Sequence, residues 1–324
     1  MLLLEFESFR PSFNLALEET LLNTLPPASP GLFILWQNDP AIIVGRHQDA
    51  RAETAEVALR RLNIPVYRRI SGGGAVYHDH GTLNYSFIRG GGGFPDFRSA
   101  LEPVRSALAE LGIDARIGGR NDLEADGLKI GGAASAVRGD KVLLHGCLLW
   151  DVDPERLAAL LTPSPAKTNK RRAASVASRV GSLKNFRPAL ALEDLKIALT
   201  RRCSRGVGEI SPEATEAARK LEKSRYLSSA WNWRPSKRGQ IRKISAFPWG
   251  ITEIAWSLRN GKITNPAISG DFFSRRDIGE LELALTGRRP TELPELLARL
   301  PLGEFFDGCD PVAAAAFIAG DEEP

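Results

Sequence analysis

The chain has 324 residues, 43% of them hydrophobic and 25% charged, so it can bury a full core and has the composition of a globular protein. The net charge of +4 is modest, and the basic residues cluster in one stretch without interleaved aromatic residues, which excludes nucleic acid as an expected partner. Membrane-length apolar runs, signal-peptide features, metal-ligand spacing and an even cysteine count are lacking, so we expect a cytoplasmic protein with no membrane partner.

The first hundred residues predict helices and strands in mixed order. Ser12 has a side chain suited to a helix cap, so a helix is expected from there to about Leu25, with a broad leucine-rich face. The other elements expected here are strands at Leu32–Trp36, Ala41–Val44 and a half-buried 83–88, and helices over 53–62 and 96–111.

A glycine-rich segment carries the strongest chemical signal: residues 68–79 read Arg-Arg-Ile-Ser-Gly-Gly-Gly-Ala-Val-Tyr-His-Asp. Three successive glycines let backbone N–H groups approach an anion closely, and adjacent guanidinium groups offer bidentate donors to a phosphate or carboxylate. A glycine-rich hairpin turn without a ligand is the alternative interpretation. The segment is not a Walker A loop, because neither Lys-Ser nor Lys-Thr follows the glycines.

A second segment, residues 118–135, places a lysine beside a run of small residues. Lys129 is followed by six small residues at positions 131–136, in a run that otherwise alternates like a strand. Such a strand packs poorly by itself, so the run favours a surface cleared for a ligand. A solvated lysine at a strand end is the alternative.

A third segment, residues 141–153, predicts a strand that pairs with the second segment. Gly139-Asp140 lies between the two runs and indicates an antiparallel hairpin. With period-two alternation, Leu143, His145, Cys147 and Leu149 share one face, near the strand that carries Lys129. A histidine on an apolar strand is more often a core residue than a catalyst, so His145 is at best a donor that lines a pocket.

Strands outnumber helices in the first part of the chain and do not alternate with them regularly, which is typical of an α+β fold and not of a Rossmann unit. We expect a large catalytic domain with mixed or antiparallel sheets flanked by helices over residues 1–235, a linker over 236–243 and a small α+β domain over 244–324. Asn260-Gly261 predicts a hairpin in the small domain. The remaining expected elements are helices over 154–161, 192–202, 212–224, 277–285, 292–300 and 311–319, and strands over 253–258 and 263–268.

Taken in order, these motifs resemble those of the lipoate–protein ligase A family. The resemblance covers nearly the whole chain, and it is weaker in the last third. The segments that carry it are Phe13-Asn-Leu-Ala-Leu-Glu-Glu19, Trp36-Gln37, Val44-Gly-Arg-His-Gln48, residues 68–79, Gly119-Arg-Asn-Asp-Leu123, Lys129-Ile-Gly-Gly-Ala-Ala134 and His145-Gly-Cys-Leu-Leu149, then Trp231-Asn-Trp233, Arg259-Asn-Gly-Lys-Ile263 and Leu281-Glu-Leu-Ala-Leu-Thr-Gly287.

This resemblance implies a catalytic fold that the family shares with biotin–protein ligases and octanoyltransferases. It implies an enzyme that uses ATP and Mg²⁺ to convert (R)-lipoate to lipoyl-AMP and then transfers the lipoyl group to a lysine of an acceptor lipoyl domain. The expected acceptors are the E2 subunit of a dehydrogenase complex, the H protein of glycine cleavage or another lipoate-binding protein. A full-length, two-domain chain of this form is expected to act as a monomer.

The resemblance also implies a role for each motif residue. Lys129 is the expected catalytic residue and bridges the α-phosphate and the acyl carbonyl, while Asp122 is the candidate for contact with Mg²⁺ or the nucleotide. The other expected ATP- and adenylate-binding residues are Arg69, Gly74, Ala75, Val76 and Tyr77. The other expected lipoate-binding residues are Arg68, Ser71, Gly72, Gly73, His78, Gly132, Ala134 and His145.

Three residues depart from the family pattern and bear on acyl recognition. The family commonly has Ser where this chain has Gly131, Asn where it has Thr82 and Thr where it has Cys147. These departures leave the arginine, glycine and lysine motifs intact.

Two alternative functions stay open. One is a lipoyl- or octanoyltransferase that performs only the second step or depends on an acyl carrier and a cysteine thioester, but residues 118–123, where similar octanoyltransferases place that cysteine, contain none. The other is a non-catalytic lipoate-binding protein, against which the retention of Lys129, Arg69 and Asp122 argues.

The basic stretch over residues 167–179 is polar and has no apolar stripe. We expect a loop that is disordered without ligand and orders over the acyl-adenylate, because the phosphate supplies the anion that it lacks. A solvated loop with no such role is the alternative.

Overall fold

The computed structural model describes residues 1–91, 96–161, 179–234 and 239–320. Within them the strands, in chain order, are β1 (Leu2–Glu5), β2 (Leu32–Trp36), β3 (Ala41–Val44), β4 (Val66–Arg68), β5 (Val76–His78), β6 (Thr82–Arg89), β7 (Arg116–Gly118), β8 (Asp122–Ala125), β9 (Leu128–Arg138), β10 (Lys141–Leu149), β11 (Ile241–Phe247), β12 (Gly250–Arg259) and β13 (Lys262–Gly270).

The helices of the described residues lie between and after these strands. They are α1 (Pro11–Thr24), α2 (Ala50–Glu53), α3 (Glu56–Leu62), α4 (Phe97–Glu110), α5 (Pro154–Leu160), α6 (Leu183–Phe186), α7 (Leu192–Cys203), α8 (Pro212–Leu221), α9 (Ser229–Asn232), α10 (Ile278–Leu285), α11 (Leu293–Ala298), α12 (Leu302–Phe305) and α13 (Pro311–Ala319). A π-helical segment, Glu222–Tyr226, continues α8, and a short 3₁₀ turn, Pro290–Glu292, precedes α11.

Three sheets organise the molecule. The large sheet has the order β1-β2-β6-β10-β9-β8-β7, in which only β1 and β2 pair in parallel. A small N-terminal sheet has the order β4-β3-β5, and a C-terminal sheet has the order β11-β12-β13. The predicted α+β class with a mixed large sheet and a small second part is confirmed.

The central strands of the large sheet are buried on both faces. Helices α4 and α7 pack against one face, where Leu83, Tyr85 and Phe87 of β6 point, and α1 packs against the other near Ile88. Seven of the eight residues of β6 are therefore buried, and the prediction of a half-buried strand is wrong. Period-two alternation did not reveal this, because the second face of the strand carries small polar residues that are buried as well.

Two predicted helix boundaries also change. Arg10 occupies the N-cap position of α1 and Pro11 its first turn, so Ser12 lies inside the helix, where its hydroxyl donates to Glu222 Oε1 at 2.6 Å. The expected helix over 53–62 is two helices, since Thr54 leaves helical geometry and forms a β-bridge with Leu161.

The C-terminal part is built around the predicted hairpin. Asn260 (φ 54°) and Gly261 (φ 71°) form the turn between β12 and β13, with the positive φ values that a two-residue hairpin turn requires. Strand β11 was not predicted, and it begins at Ile241, within the expected linker. Its alternating pattern of half-buried and exposed residues is that of a strand at the edge of a sheet.

The C-terminal part packs directly on the rest of the chain. The Phe273 ring lies 5.2 Å from the ring of Phe97 in the core beneath the large sheet. The Phe272 ring stacks on His47 at 4.8 Å, and Arg46 Nη2 lies 2.8 Å from Asp277 Oδ2. These contacts place the C-terminal strands beside the glycine-rich segment.

In the described parts of the chain, no helix combines the length and apolar character needed to cross a membrane. Except for Arg179, the basic stretch predicted to close over an adenylate lies outside the described residues.

Candidate functional site

A cavity of about 700 Å³ lies where the three sheets meet. It is bordered by the glycine-rich segment, by β6, β9 and β10, and by C-terminal residues that include Phe247, Ile251 and Phe273. The sequence-predicted residues that line it are Arg69, Gly73, Gly74, Ala75, Val76, Tyr77, His78, Asp122, Lys129, Gly132, Ala134 and His145. The hairpin of β9 and β10 thus brings the second and third motifs together as expected.

One wall of the cavity is a row of side chains that crosses the large sheet. Trp36 pairs with Asn84, Asn84 with Cys147, and Cys147 with Gly132, on β2, β6, β10 and β9 in turn. All four residues border the cavity. The adjacent row contributes His145, so the shared face predicted for Cys147 and His145 is present.

Arg69 shapes the glycine-rich segment from inside the protein. Its Nη2 donates to the carbonyls of Gly72 (2.6 Å) and Gly74 (2.8 Å), its Nη1 to that of Ile43 (3.1 Å), and its Nε to Ser71 Oγ (2.9 Å). Gly73 has a φ of 86°, a left-handed conformation that favours glycine. Burial lowers the pKa of Arg69 to about 10, which leaves the guanidinium charged at neutral pH.

Arg68 points away from the cavity. Its guanidinium donates to backbone carbonyls, among them those of Gly45 (2.8 Å), Gln48 (2.7 Å) and Trp231 (2.9 Å), and it is fully buried. Because these acceptors lie behind the glycine-rich segment, Arg68 does not line the cavity. Ser71 and Gly72, also predicted to bind lipoate, lie in the wall behind the lining residues.

A buried polar chain connects α1 to Arg69. Glu18 Oε1 accepts from Ser86 Oγ at 2.5 Å, and Glu18 Oε2 lies 2.8 Å from His145 Nδ1. The other ring nitrogen of His145 lies 2.6 Å from Ser71 Oγ, which accepts from Arg69. Sequence patterns did not reveal that Glu18 contacts His145, although Glu18 belongs to the Phe13–Glu19 motif.

Lys129 and Asp122 form the charged end of the cavity. Lys129 Nζ lies 2.7 Å from Asp122 Oδ1, and both side chains remain partly exposed. A Cβ atom at Gly132 would lie 3.2 Å from Lys129 Nζ and 3.3 Å from Asp122 Oδ1, so the small residue leaves space for the pair. Gly132 therefore leaves room for the ammonium group of Lys129 itself.

Arg120 and Asn121, which precede Asp122 in the same motif, line the cavity although no role was predicted for them. Arg120 lies over the Phe273 ring at 5.5 Å and donates to the carbonyl of Trp249, which ties the cavity rim to the C-terminal part. Asn121 donates to the carbonyl of Ala133 on β9. The sequence feature that could have indicated a role for both residues is their position in the Gly119–Leu123 motif.

His78 is a neutral donor in the cavity wall. Asn38 Nδ2 lies 3.1 Å from His78 Nδ1, and Asn14 Nδ2 donates to Asn38 Oδ1, so His78 Nδ1 accepts and the ring proton is on Nε2. Burial, with the charge of Arg69, lowers the pKa of His78 to about 3.

Two of the departures from the family pattern have a structural reason or consequence. A Cβ atom at Gly131 would lie 2.6 Å from the carbonyl oxygen of Cys147, so the backbone here leaves no room for a larger residue. Burial raises the pKa of Cys147, which therefore remains a thiol at neutral pH.

Comparison with known sequences identifies two matching regions. Residues 10–204 match the family described as the lipoyl protein ligase A/B catalytic domain, and residues 236–317 match the bacterial lipoate protein ligase C-terminus. Lipoate–protein ligase 1 of Staphylococcus aureus is 34% identical over 310 residues, which cover 93% of this chain and 94% of that protein. Lipoate–protein ligase LplJ of Bacillus subtilis is 32% identical over 86% of this chain and 87% of its own length.

Solved structures show the same fold. A bipartite lipoate protein ligase from Thermoplasma acidophilum, described with its E2 lipoyl domain, is 29% identical with a TM-score of 0.66, covering 74% of this chain and 98% of that chain. A lipoate–protein ligase A bound with ATP is 28% identical with a TM-score of 0.65, covering 72% and 97%. LipL1 of P. falciparum in complex with lipoate has a TM-score of 0.79 over 98% of this chain and 99% of its own, at 23% identity.

Proposed function

This chain belongs to the lipoate–protein ligase family, and on that premise we propose that it activates lipoate with ATP and transfers the lipoyl group to a lysine of a lipoyl domain. As a member of this family, the chain is an ATP-dependent ligase. The observation that supports the proposed chemistry is the ion pair of Lys129 and Asp122 at the end of a cavity wall made of small residues.

In the first step the lipoate carboxylate attacks the α-phosphate of ATP and pyrophosphate leaves. Two anions must approach each other, so positioned cations and backbone donors supply most of the stabilisation. We assign Lys129 to this role, since its ammonium is partly exposed and borders the cavity, where it would meet both the acyl oxygen and the phosphate. Gly74 to Tyr77 would supply the backbone that faces the nucleotide.

Arg69 would act on the nucleotide indirectly. Each of its three guanidinium nitrogens already donates to an acceptor within the protein, so its charge holds the glycine-rich segment in place. A buried cation also favours an anion bound next to that segment.

Mg²⁺ fits the donor set if the nucleotide completes it. Mg²⁺ in nucleotide sites is commonly held by one or two carboxylates together with phosphate oxygens. Asp122, 30% exposed at its side chain, is the carboxylate beside Lys129 that would hold the ion. The ion would supply further positive charge for the phosphate oxygens.

The acyl chain would lie along the wall that contains Cys147, Ala134 and His145. This wall combines apolar and small residues with few donors, which suits a carbon chain. The lipoyl group would then be attacked by a lysine amine of the acceptor, so the second step needs no protein nucleophile. The buried, protonated Cys147 agrees with a route that forms no thioester.

The expected partner is a lipoyl domain, since the similar archaeal ligase forms a lipoylation system with its E2 lipoyl domain. We further propose that the chain acts as a monomer in the cytoplasm, without nucleic acid or membrane.

Lipoate-dependent exchange between pyrophosphate and ATP tests the proposal. Exchange together with lipoylation of an E2 lipoyl domain supports a complete ligase. Transfer from preformed lipoyl-AMP without exchange would instead indicate a transferase, and binding of lipoate with neither reaction would indicate a binding protein.

A further inference from the structure

We propose that Asn84 determines acyl specificity, with its side-chain amide recognising the sulfur atoms of the dithiolane ring. This inference rests on the proposed function, because it assumes that lipoate occupies the cavity. It adds a residue whose role does not follow from the charged motifs.

Asn84 is a buried amide without a full set of partners. The residue is 1% exposed and borders the cavity, and its Nδ2 has no hydrogen-bond partner within the described segments. A buried donor left without an acceptor costs free energy, so native proteins usually satisfy it. The donor of the neighbouring Trp36, by contrast, has a partner, because its Nε1 donates to Ser86 Oγ at 3.0 Å.

The position of Asn84 matches the length of the proposed substrate. Lys129 Nζ lies 3.2 Å from the position that a Cβ atom of Gly132 would occupy, and Asn84 follows on the same row, two strands away, beyond Cys147. Two inter-strand spacings amount to about 9.5 Å. An extended eight-carbon acid built from single bonds of about 1.5 Å spans roughly 9 Å. A carboxylate at Lys129 therefore places the far end of the chain at Asn84.

The chemistry at this end favours sulfur over a hydrocarbon. Divalent sulfur is a weak hydrogen-bond acceptor, and it makes favourable contacts with aromatic rings. Asn84 offers an amide donor, and Trp36, the next residue in the row, offers an indole. A saturated acyl chain would leave the Asn84 donor unpaired, so the pocket disfavours it.

Isothermal titration calorimetry with two acids tests the inference. Lipoate is compared with 5-cyclopentylpentanoate, which keeps the five-membered ring and the chain but replaces both sulfur atoms with carbon. We expect the unaltered protein to bind lipoate about tenfold more tightly, because the carbocyclic acid leaves the buried donor of Asn84 unpaired. Asn84→Leu, which removes the donor at similar volume, should reduce the preference to less than about threefold.

Ser135→Ala provides a matched control. Ser135 lies on β9, is 1% exposed, and has a hydroxyl without a partner in the part of the chain that the structure describes, yet it does not line the cavity. Its replacement should leave the preference for lipoate unchanged. Asn84→Ala removes the donor with a smaller side chain and gives the same measurement if Asn84→Leu does not fold.

The outcomes separate this inference from the proposed function. Equal affinity of the unaltered protein for both acids would overturn the role of Asn84, and so would a tenfold preference that persists in the variants of Asn84. If the unaltered protein bound neither acid, the proposed function itself would fail.

Discussion

Lys129 Nζ and Asp122 Oδ1 lie 2.7 Å apart at the cavity, across the paired strands β8 and β9. The register of the two strands shifts between Leu123 and Glu124: Asp122 pairs with Gly132, and Lys129 pairs with Glu124. The pair is partly exposed, so its contribution to folding is expected to be small. The pair matters because it holds the Lys129 ammonium group in position at the cavity.

Replacing Lys129 should therefore impair chemistry more than folding. Lys129→Ala is expected to lower the rate of adenylate formation by about 10²–10³, as removal of other single electrostatic stabilisers does. Pyrophosphate exchange measures this rate, and thermal unfolding verifies the fold. Lys184→Ala is the matched control, since Lys184 Nζ also lies 2.7 Å from a carboxylate, that of Asp151, away from the cavity. Near-normal exchange by Lys129→Ala would contradict the assignment.

Gly132→Ala tests whether the small residue positions the lysine. The added methyl group would lie 3.2 Å from Lys129 Nζ, and the flexible ammonium end is what must move. A displacement of about 1 Å can reduce the rate by about 10². Gly303→Ala, where nothing lies within 4 Å of the added atom, should leave the rate unchanged. A fully active Gly132→Ala enzyme would show that the space serves another purpose.

Cys147→Ser should retain adenylation and transfer. The proposed route has no covalent step on the protein, and burial keeps Cys147 protonated by raising its pKa. We expect a change of less than about tenfold in either half-reaction, which corresponds to about 1.4 kcal/mol. Mass spectrometry after incubation with lipoate and ATP would detect an acyl-thioester. Its presence on Cys147 would favour a transferase.

His47 should make stability depend on pH. Burial, followed by the charge of Arg46, lowers the pKa of His47 from 6.5 to about 3. The unfolded chain then binds more protons than the folded one between these values. The stabilisation is therefore complete above pH 6.5 and is lost as the pH falls towards 3, with a slope of up to about 1.4 kcal/mol per pH unit.

Urea unfolding between pH 4 and pH 7 measures this slope. His47→Gln removes the titrating group, so the slope should fall by up to about 1.4 kcal/mol per pH unit, the contribution of one proton. His78, whose pKa is also about 3, continues to contribute. His80→Gln is the control, because His80 is exposed and pairs with an exposed Asp39. An unchanged slope in His47→Gln would mean that His47 titrates alike in both states.

The local parts of the fold were predictable because they depend on neighbouring residues. Gly139-Asp140 and Asn260-Gly261 set the two hairpins, and period-two alternation placed His145 and Cys147 on one face. The proximity of Lys129 to that face then followed from the pairing. These predictions needed no contact between distant segments.

The rest depended on distant segments. Arg68 and Arg69 are adjacent, yet Arg68 is directed away from the cavity by carbonyls that include that of Trp231, 163 positions later. Glu18 meets His145 127 positions away, and nothing in the pattern of either segment indicates this. The C-terminal wall of the cavity is a third case, because Phe273 lies in an ordinary loop sequence.

Phe273 also constrains how the chain can fold during synthesis. Its ring belongs to the core beneath the large sheet, although every other buried residue of that cluster lies between Leu3 and Cys203. At a synthesis rate of about 5–20 residues per second, the ribosome finishes the sheet several seconds before Phe273 emerges. Until then the surface around Phe97 is exposed, and a nascent chain arrested in this interval would present an apolar patch suited to chaperone capture.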